Sequence, residues 1–139
     1  MPKSLDLARV LLVHDELASR LTLQTILRAG GYFVDVAAST AEAYTKLDEG
    51  EYELVLSEAE MDSPQAGHRI LSYARKRGYQ PATAVVTAYK EARAFRCPVG
   101  DRRKVSINTE NVSTLLDKVA QLIGIRVQRR MNRLIQRTT

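Results

Sequence analysis

The chain is predicted to form an α/β domain with a doubly wound parallel sheet, on three observations. Short apolar runs alternate with helical patterns in a βαβ rhythm. The runs are apolar enough to be covered on both faces, as parallel strands are. The length, 139 residues at 45% hydrophobic content, suits one domain with a single core.

Taken in order, Ala8 to His14 reads as a buried first strand. Leu17, Leu21, Leu23, Ile26 and Leu27 give a helix with one apolar face, and Gly30-Gly31 can adopt the left-handed conformations that end it. Tyr32 to Val36 is a short second strand. Ser39-Thr40-Ala41-Glu42 fits a capping box, so a second helix is expected to run to about Gly50. Leu54 to Ser57 makes a third strand, and His68 to Arg77 a third helix closed by Gly78. Ala82 to Thr87 is a β-branched fourth strand, and a fifth is expected at Lys104 to Ile107. Between them, Lys90 to Arg103 has few apolar residues and contains Pro98 and Gly100, so any helix there is short or irregular. The clearest helix is the last, with Val112, Leu115, Leu116, Val119, Leu122 and Ile123 on one face.

Composition limits the setting. The lone Cys97 cannot form an internal disulfide, and no apolar run approaches the ~20 residues of a membrane span. Met1 to Ala8 lacks the apolar stretch of a signal peptide, so a reducing, cytoplasmic location is expected. The net charge of +5 sits at one end: Arg126, Arg129, Arg130, Arg133 and Arg137 lie beyond Gly124 with no acid among them. Setting those five aside, the other 16 of the 21 Lys and Arg balance the 16 Asp and Glu. The expected organisation is therefore a domain over residues 1–124 and a basic extension, or the start of a linker or second module, over 125–139.

Strand-end residues carry a resemblance. Leu11-Leu12-Val13-His14-Asp15-Glu16 ends the first strand, and Glu53-Leu54-Val55-Leu56-Ser57-Glu58-Ala59-Glu60-Met61 contains the third. Val86-Thr87-Ala88 ends the fourth, and Val105-Ser106-Ile107-Asn108-Thr109 the fifth. In this order and spacing, from about Ala8 to Ile123, the chain resembles the receiver domain of CheY-like response regulators. That resemblance implies a flavodoxin-like fold with strand order 2-1-3-4-5 and a site at the carboxyl edge of the sheet.

It also implies a site made of two acidic residues after the first strand, an acceptor aspartate, a Ser/Thr after the fourth strand and a lysine after the fifth. Those places read His14, Asp15, Glu58, Thr87 and Asn108, so only Asp15 and Thr87 match. The usual proline after Met61 is Asp62, and the glycine expected some residues on appears as Gly67, one position late. Val105 stands where active receivers often place an aromatic switch residue.

These departures remove parts of a phosphoryl-transfer mechanism. Mg²⁺ prefers oxygen ligands, which imidazole at His14 is not, so Mg²⁺ binding is expected to be weak at most, through Asp15 and Glu58. Asn108 lacks the positive charge of the lysine, and Lys104 lies four residues early as a substitute. The extra methylene of Glu58 displaces its carboxylate by ~1 Å, which can cost ~100-fold where alignment governs the rate. Glu58 either imitates a phosphorylated aspartate, at a charge of about −1 against roughly −1.5 to −2, or reflects drift at an unused site. His14 with Asp15, Glu58 and Glu60 also invites a zinc site, against the commoner role of such a histidine in an ordinary hydrogen bond.

The function expected is a non-catalytic, degenerate receiver acting as a phosphorylation-independent signalling interaction module. Two alternatives stand beside it: a phosphoacceptor with an atypical site, and an adaptor binding anions or nucleic acid through the arginine tail. The tail can present an apolar stripe of Val127, Met131, Leu134 and Ile135 to a partner helix or anionic surface. Arg129-Arg130-Met131-Asn132-Arg133 also resembles the arginine motif opening a PilZ cyclic-di-GMP domain. The rest of such a domain is missing, so nucleotide binding by this chain alone is not expected. The expected partner is a protein of a signalling pathway, with a homodimer left open.

Overall fold

The computed structural model describes residues 8–87, 106–108 and 112–138. Among them the elements run β1 (Arg9–Val13), α1 (Leu17–Ala29), β2 (Phe33–Ala37), α2 (Thr40–Glu49), β3 (Leu54–Glu58), α3 (Ala66–Arg75), β4 (Ala82–Thr87), β5 (Ser106–Asn108) and α4 (Val112–Thr138). The strands pair in parallel in the order β2-β1-β3-β4-β5. The fifth is only three residues long. Lys90 to Arg103, Cys97, Lys104 and Val105 lie outside the described residues.

Side-chain alternation along the strands divides the interior into two layers. Leu11, Val13, Val55 and Val85 face α2 and α3, meeting Ala43, Leu47, Ile70 and Ala74. Val10, Leu12, Leu54, Leu56 and Val86 face the other way, meeting Leu23 and Leu27 of α1 and Leu115 and Val119 of α4. Val10 to Val13 of β1 and Leu54 to Ser57 of β3 are buried on both faces, which is why these strands read as nearly unbroken apolar runs.

Helix boundaries follow from local chemistry. Gly31, at φ +100, takes the left-handed conformation after α1, while Gly30 stays right-handed at φ −77 with α4's Leu116 against it. Ser39 caps α2 by accepting from the Glu42 amide, and the Glu42 carboxylate reaches back one residue beyond the expected box, to the Ala38 N–H. Helix α3 starts at Ala66, two residues earlier than expected. Gln65 precedes it in the left-handed region at φ 68, and the Gly67 amide donates to the Ala59 carbonyl at 2.9 Å.

Helix α4 continues without interruption to Thr138, across the position of the boundary expected after Gly124. Arg126, assigned from sequence to an anion-binding tail, is instead only 7% exposed. Its guanidinium donates to the carbonyls of Gln80 at 3.0 Å and Tyr79 at 2.5 Å, with Glu53 4.0 Å away. Gln80 holds a left-handed backbone at φ 42 just before Pro81 and β4. Arg126 therefore pins α4 to the turn at the amino edge of the sheet.

Arg126→Ala should cost about 2 kcal/mol, since two buried carbonyls lose a charged donor, lowering the melting temperature by roughly 6–10 °C. Truncation after Arg126 should melt like the full chain and truncation after Gly124 like Arg126→Ala, as calorimetry can determine. Gly67→Ala should be more severe, because a Cβ there would lie 1.9 Å from the Glu58 carbonyl oxygen; a loss above ~3 kcal/mol is expected in chemical denaturation. Burial pushes the Tyr79 phenol up to about 12 and raises that of Tyr52, which also donates to Asp35. An unfolded phenol ionises near ~10, so their contribution is intact below that pH and is lost as pH rises towards 12. Denaturation midpoints should fall across that window, less steeply in Tyr79→Phe.

Candidate functional site

Parallel pairing brings all five positions singled out from sequence to the carboxyl edge of the sheet. His14 directly follows β1, its amide donating to the Ala37 carbonyl at 3.0 Å, and β1 lies against β3 with Val13 opposite Ser57. Glu58 ends β3, and Thr87 and Asn108 are register partners at the ends of β4 and β5. The side chains brought together are those of His14, Asp15 and Glu58, whose donor atoms lie within 4.8 Å of one another. Glu60, considered with them from sequence, is not in that group.

His14 is largely covered, at 12% side-chain exposure, with Glu58 at 18% and Asp15 at 41%. The imidazole Nδ1 lies 3.5 Å from Glu58 Oε1 and 3.9 Å from Asp15 Oδ1. Nδ1 also accepts the Glu16 backbone N–H at 3.2 Å, which in a neutral ring leaves the proton on Nε2. The Nδ1 lone pair would have to leave the Glu16 amide before it could join the two carboxylates around a cation. The turn is braced from α1, where Arg20 Nη1 donates to the His14 carbonyl at 3.0 Å and the Ser19 hydroxyl donates to Glu16.

Metal chemistry discriminates here. Two ligands of a tetrahedral ion, each ~2.1 Å from it, stand ~3.4 Å apart, close to the separations of His14 from the two carboxylates. Mg²⁺ instead takes oxygen ligands in octahedral array. A set with one imidazole among three donors, its nitrogen already accepting an amide, fits Mg²⁺ poorly.

Glu58 is held from behind by backbone contacts. The buried Ser57 hydroxyl donates to the Glu58 carbonyl at 2.9 Å, and Gly67 in the first turn of α3 presses on the same carbonyl. A larger residue at 67 would displace the end of β3. The one-position lateness of this glycine is therefore absorbed by the left-handed Gln65 and the early start of α3.

Asp62 has a role that sequence reading missed. Its carboxylate accepts from both the amide and the hydroxyl of Thr40, tying the β3–α3 loop to the start of α2, and the Thr40 hydrogen bond holds its carboxyl below the usual range. The far side of that loop is held by Arg69, which donates to the Ser63 hydroxyl at 2.7 Å. Twenty-two positions separate Thr40 from Asp62, and no local pattern announces such a pair.

Comparison with known proteins agrees with this geometry. The sequence profile of the response regulator receiver domain matches residues 10–97, more than half of the chain. Among solved structures, the response regulator TrrA from Thermotoga maritima, in complex with Mg²⁺-BeF, is 27% identical. The alignment covers 84% of this chain and 99% of that one at a TM-score of 0.67. TrrA bound to the histidine kinase ThkA aligns over 84% and 98% at 0.64, again with 27% identity. A CheY-like receiver from Methanospirillum hungatei, 24% identical over 88% and 98%, shares the fold at 0.71. No curated protein sequence matches closely enough to add to these. With a matching profile, a parallel sheet in receiver order and the strand-end site at its carboxyl edge, the chain belongs to the response regulator receiver family.

Proposed function

We propose that this receiver runs no phosphorylation cycle and serves as a signalling interaction module, presenting a surface to a protein partner without catalysing a reaction. The observation that carries this reading is the His14 ring standing 3.5 Å from the carboxylate of Glu58 at the acceptor position. Where a phosphate-driven receiver needs an all-oxygen metal site beside an aspartate, this chain offers imidazole beside a longer carboxylate. Asn108 at the end of β5 brings no charge to balance a phosphoryl group. Magnesium is therefore at most a weak ligand in this reading, and Glu58 supplies a permanent charge of about −1 where the family gains and loses one.

The proposed partner is a protein of a signalling pathway, the kind of encounter represented by TrrA with its histidine kinase. The rival, an atypical phosphoacceptor, rests on Asp15 and on Thr87, which match the family pattern. The adaptor reading rests on the exposed Arg129 and Arg133 of α4, within the run that resembles a PilZ arginine motif.

Incubation with Mg²⁺ and acetyl phosphate should leave the intact mass unchanged. A phosphate-sized adduct mapped to Glu58 would overturn the proposal. Glu58→Asp alone should also remain unlabelled, whereas Glu58→Asp with His14→Asp and Asn108→Lys should gain an adduct at position 58. A label on the single Glu58→Asp variant would show that His14 and Asn108 do not limit the chemistry.

A further inference from the structure

Helix α4 changes its partner face part of the way along. From Leu115 to Arg126 the covered row is Leu115, Val119 and Arg126, and at about 100° per residue the positions of Arg130, Arg133 and Arg137 continue that same row. The apolar residues of the second half, Val127, Met131 and Ile135, occupy a different row, about 140° around the helix. All three are about half exposed, at 47%, 51% and 56%. Among the described residues the domain does not cover this stripe, since Arg126 holds the opposite row against the Tyr79 and Gln80 carbonyls.

Place matters as well. Arg126 contacts the turn before β4 and Glu53 before β3, so α4 reaches the amino edge of the sheet there. Residues 127–138 run on from that edge for ~18 Å, while His14, Asp15 and Glu58 lie at the carboxyl edge. The stripe is a surface separate from the acceptor site.

We propose that residues 127–138 dock an acidic amphipathic helix of a partner protein against Val127, Met131 and Ile135. The spacing i, i+4, i+8 gives a narrow seam of the width one helix fills, with exposed Gln128 and Asn132 on one side and the positions of Arg130 and Arg137 on the other. Charge selects the partner: no acidic residue lies between Asp117 and Thr138, so the same helical segment of a second copy supplies no countercharge. Arginines at i, i+4 spacing, 126 with 130 and 129 with 133, also repel one another along the helix, a cost that glutamates on a partner relieve. A membrane surface suits a broader apolar face carrying aromatic anchors, which this segment lacks. Nucleic acid has no use for the apolar row.

The test uses the full chain and, as probe, a synthetic heptad-repeat peptide with Leu at a and d and Glu at e and g. Calorimetric titration should show binding at least ~10-fold tighter than to the same peptide with Lys in place of Glu, to phosphatidylserine–phosphatidylcholine vesicles or to duplex DNA. Val127→Asn with Met131→Asn should weaken peptide binding ~10-fold or more at unchanged melting temperature, because both side chains are exposed. Undiminished binding by that variant would overturn the proposal by showing a charge effect alone. So would tighter binding of vesicles or DNA, sedimentation of the free chain as a dimer lost in the variant, or no binding of the peptide.

Discussion

The approach of Gly67 to the carbonyl of Glu58 is the constraint on which the site side of this molecule depends. Helix α3 can lie against the end of β3 only because no Cβ stands between them. That contact fixes where β3 stops and hence where the Glu58 side chain leaves the sheet. It also accounts for the left-handed Gln65, since the chain must turn sharply to bring the glycine amide onto the Ala59 carbonyl. The Asp62–Thr40 link and the Arg69–Ser63 link hold the loop that makes this turn. The scaffold behind Glu58 is thus held on both sides of the β3–α3 loop.

What stands in front is a group of two carboxylates and an imidazole, partly covered at the strand edge, where charge interactions are stronger than in water. With Nδ1 accepting the Glu16 amide, the Nδ1 edge of the neutral ring carries no N–H towards the Glu58 Oε1 that lies 3.5 Å from it. Phosphate taken up here would add further negative charge beside Asp15. At two strand-end positions the residues differ in charge from the receiver pattern, His14 standing in place of a carboxylate and Asn108 in place of a lysine, while Glu58 keeps a carboxylate one methylene longer.

The layered fold was legible because the signals for it are local and periodic. Continuous apolar strands, the Ser39 cap and the αL-capable Gly31 each act within a few residues. The strand-end positions were legible for the same reason, since parallel pairing carries every strand end to one edge. The early start of α3 was hidden because its cause is a tertiary contact with β3, and the role of Asp62 because its partner sits 22 positions away. Arg126 misled for a related reason. An arginine in a run of arginines reads as a solvated charge, and only the meeting of α4 with the turn before β4 shows two backbone carbonyls waiting for it.

Arg126 also explains how one helix can serve two surfaces. A helix whose apolar row simply continued past the domain would expose a strip like the one buried in the core, and would invite indiscriminate association. Here the buried row ends in a cation satisfied by carbonyls, and the apolar row reappears rotated by about 140°. The change of face separates the residues that keep α4 on the sheet from those it offers outward. The helix is unbroken from Val112 to Thr138, so the outer stripe is joined through Arg126 to the left-handed Gln80 turn and to β4, whose other end carries Thr87.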